Sequence, residues 1–140
     1  MFKTILISLI LMLSSATSAS NTNTSVDIGT TIASTYNIKV ITTPGQVKKI
    51  GMAKATITPA EGYKWNKQFP ASFEFMHYET AIATLLEQKA YFKEGELCVP
   101  YAGKLEGRAP IVVAVSFSVC NAQECLTHRN KKVILSLIVK

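Results

Sequence analysis

Residues 111–139 read IVVAVSFSVCNAQECLTHRNKKVILSLIV and give the strongest indication of the fold class. Two strongly apolar runs, at 111–119 and 133–139, flank a polar segment that begins with two nearby cysteines, Cys120 and Cys125. Short runs rich in valine and isoleucine on either side of a polar turn predict a β-hairpin. Because the two cysteines bracket its turn, they form either a structural disulfide or a redox centre.

The first apolar run separates its side chains into two faces. The odd-numbered residues from 111 to 119 are all large and apolar, whereas the even-numbered residues from 112 to 120 include two serines and Cys120. Successive side chains of a strand point to opposite faces of the sheet. We therefore expect the odd-numbered face to enter the core and Cys120 to lie on the less buried face, near the strand end.

Other parts of the chain show further short strand patterns between turn signals. In the stretch 50–58, Ala53, Ala55 and Ile57 alternate with polar side chains, as in a half-buried strand. The stretch 72–78 also alternates, and we expect His77 to share the core-edge face of its phenylalanines rather than to act as a ligand. The number of short strands predicts an all-β fold, an immunoglobulin-like antiparallel β-sandwich.

One stretch, 79–92, has two interpretations. It can be a helix, because it contains good helix formers without Gly or Pro. It can also be a loop and a strand, because its neighbours are strand-like and closely spaced.

The N-terminus has the features of a cleaved export signal. Lys3 precedes an apolar run at 5–13, and small residues lead to a cleavage site after Ala19. The apolar run is too short to span a bilayer, which takes about 20 residues. We expect a periplasmic or secreted protein with no membrane insertion after signal cleavage. The predicted parts are a signal peptide at 1–19, a flexible N-terminal segment at 20–34 and one β-sandwich domain at 35–140.

Charge and composition exclude several functional classes. The formal net charge is +6, but the basic residues are scattered, which argues against nucleic acid as a partner. The sequence has no glycine-rich phosphate loop and no serine nucleophile elbow. Asp27 is the only aspartate in the chain and the glutamates show no pairing, so hydrolysis by two carboxylates is poorly supported. We expect no cofactor.

The cysteine pair has the groups that thiol–disulfide exchange requires. One thiolate attacks the partner, and a second thiol nearby resolves the mixed disulfide that forms. Positive charge nearby favours a thiolate, slightly more at Cys125, while Glu124 opposes it. As a purely structural bond the disulfide would close a very short loop and stabilise the fold by only about 2 kcal/mol. The basic residues that follow the pair are His128, Arg129, Lys131 and Lys132.

The third cysteine, Cys98, lies between Leu97 and Val99 in a short strand-like segment. This setting is typical of a small buried side chain. Cys98, Cys120, Cys125 and His128 together have the ligand types of a zinc or soft copper site. The spacing matches no strong zinc signature, however, and export favours oxidation of the thiols. We therefore predict no metal.

Several segments resemble one known family: GMAKATITP at 51–59, EGYKWN at 61–66, Phe69-Pro70, VSFSVC at 115–120 and Cys125-Leu126. Over about residues 45–140, the chain resembles the N-terminal periplasmic domain of the thiol-disulfide interchange protein DsbD and its disulfide-corrector relatives. The resemblance implies an immunoglobulin-like β-sandwich. It also implies that Cys120 and Cys125 are catalytic and exchange electrons with a protein partner, either a membrane reductase or a thioredoxin-like periplasmic protein.

Two functions from different classes remain consistent with the residues. The first is an exported thiol–disulfide exchange domain, in which Cys120 and Cys125 cycle between dithiol and disulfide. The alternative is a non-catalytic immunoglobulin-like module that binds another protein, with a permanent Cys120–Cys125 disulfide. The reduction potential of the pair distinguishes the two.

Overall fold

The computed structural model describes residues 24–78 and 81–140. The predicted signal peptide at 1–19 lies outside the described residues. The elements of the described part are strands joined by short turns and a single turn of 3-10 helix at Glu87–Lys89. In chain order the strands are β1 (Val26–Ile32), β2 (Tyr36–Thr43), β3 (Ile50–Pro59), β4 (Lys64–Trp65), β5 (Ser72–Tyr78), β6 (Ala83–Leu85), β7 (Tyr91–Lys93), β8 (Glu96–Gly103), β9 (Gly107–Cys120) and β10 (Cys125–Val139).

The strands form two sheets in which all strand pairs are antiparallel. The larger sheet has six strands in the order β1-β2-β3-β8-β6, and β7 pairs with β8 on the same side as β6. The smaller sheet has four strands in the order β10-β9-β4, with β5 also paired to β9. Strands β2 and β3 of the larger sheet contact β10 of the smaller one. The predicted all-β, immunoglobulin-like antiparallel sandwich is confirmed.

The core lies between the two sheets and follows the alternation of the sequence. In β9 the odd-numbered side chains from Ile111 to Val119 are fully buried, as predicted. In β3, Ala53, Ala55 and Ile57 are buried while the residues between them are partly exposed, which confirms the predicted half-buried strand. Burial of these apolar side chains is the main driving force for packing the sheets together.

Strand β1 corrects the predicted domain boundary. The sequence assigned 20–34 to a flexible segment, but β1 (Val26–Ile32) pairs with β2 along most of its length. The run VDIGTTI has aliphatic residues, but Gly29 interrupts their alternation at a β-bulge, so the pattern did not identify it as a strand. Backbone hydrogen bonds to β2 hold it at the edge of the larger sheet.

The structure also decides between the two interpretations of the stretch 79–92. Residues 79–80 lie outside the described part, and the following chain forms β6, the 3-10 helix and β7, so the helix interpretation of 79–92 is wrong and the alternative of loop and strand is confirmed. Strand β9 begins at Gly107, after the short turn that follows β8. Lys64 and Trp65 form β4 against the end of β9.

Candidate functional site: a disulfide at the β9–β10 turn

The two candidate catalytic cysteines are joined as a disulfide at one end of the sandwich. Cys120 is the last residue of β9, and Cys125 is the first residue of β10. The two residues are directly opposite each other in the β9–β10 ladder, with their Cα atoms 4.0 Å apart and their sulfur atoms bonded. Their pairing at the hairpin turn, expected from the sequence, is confirmed.

The turn between the cysteines is closed by its own hydrogen bonds. The backbone N–H of Asn121 donates to the carbonyl oxygen of Glu124 at 2.9 Å. The side-chain Oδ1 of Asn121 accepts from the N–H groups of Gln123 and Glu124, at 2.9 and 2.8 Å. An asparagine that binds the backbone two and three residues ahead is a common way to fix a turn. Asn121 therefore holds the two cysteines in register independently of the sulfur–sulfur bond.

The two sulfurs differ in their surroundings. Cys125 is exposed, whereas Cys120 is half-buried. Cys120 has strands on both sides, because β9 is paired with β10 and with β4. Cys125 belongs to β10, which lies at the edge of its sheet and has no second partner strand among the described residues. A reacting thiol therefore reaches Cys125 more easily than Cys120.

Lys64 is the neighbour of Cys120 on the side opposite Cys125. It is the direct cross-strand partner of Cys120 in the β4–β9 pairing, just as Trp65 is the partner of Val119. Directly opposed residues in an antiparallel pair place their side chains on the same face, with Cβ atoms about 5 Å apart. Lys64, Cys120 and Cys125 therefore form one row across the outer face of the smaller sheet.

Most of the basic residues that were expected near the cysteines lie elsewhere. His128 and Lys131 are opposite Phe117 and Val115, whose side chains face the core, so neither shares the face of the disulfide. Lys132 is opposite Ala114, six residues from Cys120 along β9, which is about 20 Å in an extended strand. The prediction that these three residues favour a thiolate at the cysteine pair is therefore wrong. They are close to the pair in sequence but not on its face of the sheet.

His128 is instead part of an aromatic cluster between the sheets. Its ring lies 4.7 Å from that of Tyr36 and 5.1 Å from that of Phe117, measured between centroids. Its Nε2 is hydrogen-bonded to Oγ1 of Thr35 at 3.0 Å. Burial and, secondarily, the charge of Lys131 lower the pKa of His128 below its usual 6.5. His128 is therefore neutral at pH 7 and acts as a packing residue.

Arg129 lies on the outer face, beside the loop that follows β4. Its guanidinium lies over the ring of Phe69, 5.5 Å from the centroid, in a cation–π contact. The same loop carries Asn66, whose Nδ2 donates to Oγ of Ser118 at 3.3 Å and whose N–H donates to the carbonyl of Ser118 at 2.9 Å. These contacts attach the loop to β9 close to Cys120.

A cleft lies beside this loop at the same end of the sandwich. Its volume is about 510 Å³. Three partly buried aromatic side chains, Trp65, Phe69 and Phe92, contribute to its walls, together with charged residues at its rim. The cleft therefore lies between the loop that follows β4 and the β7–β8 turn, and neither Lys64 nor the cysteines line it.

Cys98 is remote from the disulfide. It lies in β8 of the larger sheet, is 1% exposed, and donates its S–H to Oε1 of Glu96 at 3.2 Å. Burial raises the pKa of its thiol. The expectation of a small buried side chain is confirmed.

The sulfur and histidine ligands considered for zinc or copper do not meet. Cys120 and Cys125 are bonded to each other, Cys98 is in the other sheet, and His128 faces the core. In residues 24–78 and 81–140, no group of three or more His, Cys, Asp or Glu side chains is arranged to hold a metal ion.

The orientation of His77 also differs from the one predicted from the sequence. The alternation of the sequence placed it beside Phe73 and Phe75, but a β-bulge between Phe75 and His77 shifts the register. Tyr78 takes the inner position instead, with its ring 5.9 Å from that of Phe75, and His77 is exposed.

Lys64 was not among the residues predicted for the site. Its position opposite Cys120 depends on a strand pairing between two distant parts of the chain. No local pattern in the sequence signals such a pairing, since β4 has only two residues.

Within the described ranges, no helix has the length and apolar character needed to cross a membrane. Comparison of the chain with protein-family models, with curated proteins and with solved structures finds no match.

Proposed function

We propose that this protein is an exported thiol–disulfide exchange domain that passes electrons between a protein partner and the Cys120–Cys125 pair. The observation that carries the proposal is the position of the disulfide. It lies at the tip of a hairpin with one sulfur on an exposed edge strand, so a partner thiolate can reach it. In the opposite direction, the dithiol form would reduce a partner disulfide.

The geometry favours Cys125 as the sulfur that contacts the partner. Thiolate attack on a disulfide proceeds along the line of the sulfur–sulfur bond, from the side opposite the leaving sulfur. For Cys125 that side is the open edge of β10, whereas for Cys120 it is occupied by β4. The mixed disulfide would therefore form at Cys125, and Cys120 would act as the leaving and resolving thiol.

As a purely structural bond, the disulfide would add little to the stability of the hairpin. The β9–β10 ladder runs from the Cys120–Cys125 pair to the Gly107–Val139 pair, and Asn121 already fixes the turn. Closing a loop of this size adds about 2 kcal/mol in the loop-closure account. A redox role explains why a disulfide stands at the end of the hairpin, with Cys125 exposed.

The resemblance to the N-terminal domain of DsbD and its disulfide-corrector relatives supports the same function. The resemblance concerns the strand, cysteine pair and strand at 115–126 and the EGYKWN segment at 61–66. Under this proposal the protein works in the periplasm or outside the cell. Its partner is a membrane reductase or a thioredoxin-like periplasmic protein.

The reduction potential of the Cys120–Cys125 couple tests the proposal. It is measured by equilibration of residues 20–140, in a Cys98→Ser background, with glutathione or a dithiol buffer. A value between about −120 and −270 mV, the range of known exchange proteins, is expected. A value below about −300 mV would mark a structural disulfide and support the non-catalytic binding module instead.

Trapping of the mixed disulfide in cells tests which cysteine contacts the partner. In Cys120→Ser, the Cys125 thiol can join a partner but no thiol remains to resolve the bond, so a covalent complex should accumulate. Cys125→Ser is the matched variant and should trap much less, because Cys120 is half-buried and flanked by β4. If neither variant traps a protein, the exchange function is refuted. If only Cys125→Ser traps one, the assigned order of the two thiols is wrong.

A further inference from the structure

We infer that Lys64 is a positioning residue for the exchange reaction, which stabilises the thiolate of Cys120 when the disulfide opens. The inference rests on the proposed function. It is carried by the pairing of β4 with β9, in which Lys64 is directly opposite Cys120. No local sequence pattern indicates this pairing, since the two positions are far apart in the chain.

Trp65 fixes the side to which Lys64 points. The Trp65 ring packs against that of Phe117, 5.4 Å between centroids, and so faces the core. Successive side chains of a strand alternate between faces, so Lys64 faces outward. Cys120 follows the buried Val119 and faces outward for the same reason. The cation and the sulfur therefore share one face of the sheet at adjacent positions.

The position of Lys64 matters for the step in which the disulfide opens and Cys120 leaves as a thiolate. A thiolate of a partner dithiol attacks Sγ of Cys125, a partner–Cys125 bond forms, and the Cys125–Cys120 bond breaks. The electron pair of that bond goes to Cys120, which leaves as a thiolate. The partner's second thiolate then attacks the partner sulfur of the mixed disulfide and releases Cys125. The domain disulfide is reduced to two thiols, and the partner dithiol is oxidised to a disulfide.

A stabilised leaving thiolate speeds the first of these attacks. A unit positive charge beside the sulfur has this effect, and it is larger where the sulfur is partly removed from water. In the reverse direction the same charge keeps Cys120 ionised, so that Cys120 can attack Cys125 and resolve the mixed disulfide. Lys64 therefore acts in both directions of electron flow.

Other charges near the pair do not replace Lys64. Glu124 in the turn and Glu61 before β4 are exposed acidic residues and would oppose ionisation of Cys120. Arg129 lies over Phe69, four residues beyond Cys125 in β10, which is about 13 Å in an extended strand. Lys64 itself takes part in no ion pair within the described residues, so its charge is not neutralised there.

The test uses a single thiol, so that it does not depend on exchange. In a Cys98→Ser, Cys125→Ser background, the alkylation rate of Cys120 by iodoacetamide is measured against pH. Losing one charge at about 4 Å in water would reduce the thiolate fraction of Cys120 at neutral pH by about fivefold. Because a more basic thiolate is also a better nucleophile, Lys64→Met should lower the alkylation rate by about two- to threefold. Lys64→Arg should retain the rate, and Lys67→Met, in the exposed loop after β4, is the matched control.

The outcomes separate this inference from the proposed function. Equal alkylation profiles with and without the Lys64→Met substitution would overturn the role of Lys64, whatever the reduction potential. A profile that depends on Lys64, together with a reduction potential below about −300 mV, would refute exchange while leaving the Lys64–Cys120 interaction intact. In the protein with both cysteines, Lys64→Met should also slow reduction by dithiothreitol about twofold, following the dependence on the leaving thiol.

Discussion

Gly95 lies directly against the indole ring of Trp65. A Cβ atom at position 95 would be 2.5 Å from Cζ2 of Trp65 and 2.3 Å from the carbonyl oxygen of Ile57. Gly95 also has a φ of +82°, in the two-residue turn between β7 and β8 where Glu94 has a φ of +51°. The turn of the larger sheet thus supports the residue that holds β4, and with it Lys64, against the end of β9.

Gly95→Ala should destabilise the protein and disturb Trp65. The new methyl group has no space, and the positive φ adds a cost of about 1–2 kcal/mol. Gly62→Ala is the matched control, because Gly62 has a φ of +84° but a Cβ added there would have no atom within 4 Å. Urea unfolding followed by the fluorescence of Trp65 should show a loss at least about 2 kcal/mol larger for Gly95→Ala. Equal losses of stability in the two variants would show that the Trp65 ring can move to make room for the new methyl group.

The buried imidazole of His128 predicts a pH dependence of stability. Its folded-state pKa is lowered below 6.5, so the unfolded chain binds a proton more readily than the folded one. The contribution of His128 to the free energy of unfolding is therefore fully present above about pH 6.5, and it is lost as the pH decreases toward the folded-state pKa. Denaturation at a series of pH values should show this fall, and His128→Gln should reduce it. The exposed His77→Gln variant should keep the wild-type slope, and a slope unchanged by His128→Gln would contradict the assignment.

The side chain of Asn121 should affect both the stability of the protein and the reduction potential of the Cys120–Cys125 pair. Asn121→Ala removes the acceptor of two backbone N–H groups in the turn. These N–H groups can be solvated, so the loss should be about 0.5–1.5 kcal/mol in the reduced protein. A less ordered turn brings the cysteines together less often, so the disulfide should become easier to reduce. Gln123→Ala, in the same turn, should leave the reduction potential unchanged, and equal potentials for all three proteins would show that Asn121 has no such role.

Tyr101 anchors the opposite end of the sandwich. Its fully buried hydroxyl donates to the carbonyl of Ile138 at 2.8 Å and accepts from the N–H groups of Ile138 and Gly45, at 3.2 and 3.3 Å. Tyr101→Phe should lower the free energy of unfolding by about 1–3 kcal/mol, because the buried backbone groups of Ile138 and Gly45 lose the hydroxyl as a partner. The exposed Tyr91→Phe should cost less than about 1 kcal/mol. Both are measured by chemical denaturation, and the reduction potential should not change in either variant, since Tyr101 is far from the cysteines.

The fold class and the face of each long strand could be predicted because they depend on local alternation. In β3 and β9 every second side chain is apolar, and only one orientation buries that set. The pairing of Cys120 with Cys125 was also local, since a hairpin places the two residues side by side. Strands β4, β6 and β7 were missed or ambiguous because each has only two or three residues, and β1 was missed because a bulge at Gly29 interrupts its alternation.

Local sequence patterns were therefore enough to predict an all-β sandwich with a cysteine pair at a hairpin turn. The surroundings of that pair depend on long-range pairing of strands. Strand register placed His128 on the inner face, a bulge turned His77 outward, and the pairing of β4 with β9 brought Lys64 next to Cys120. Alternation along a strand follows from local backbone geometry, whereas the neighbour across a strand depends on contacts between residues that are distant in sequence.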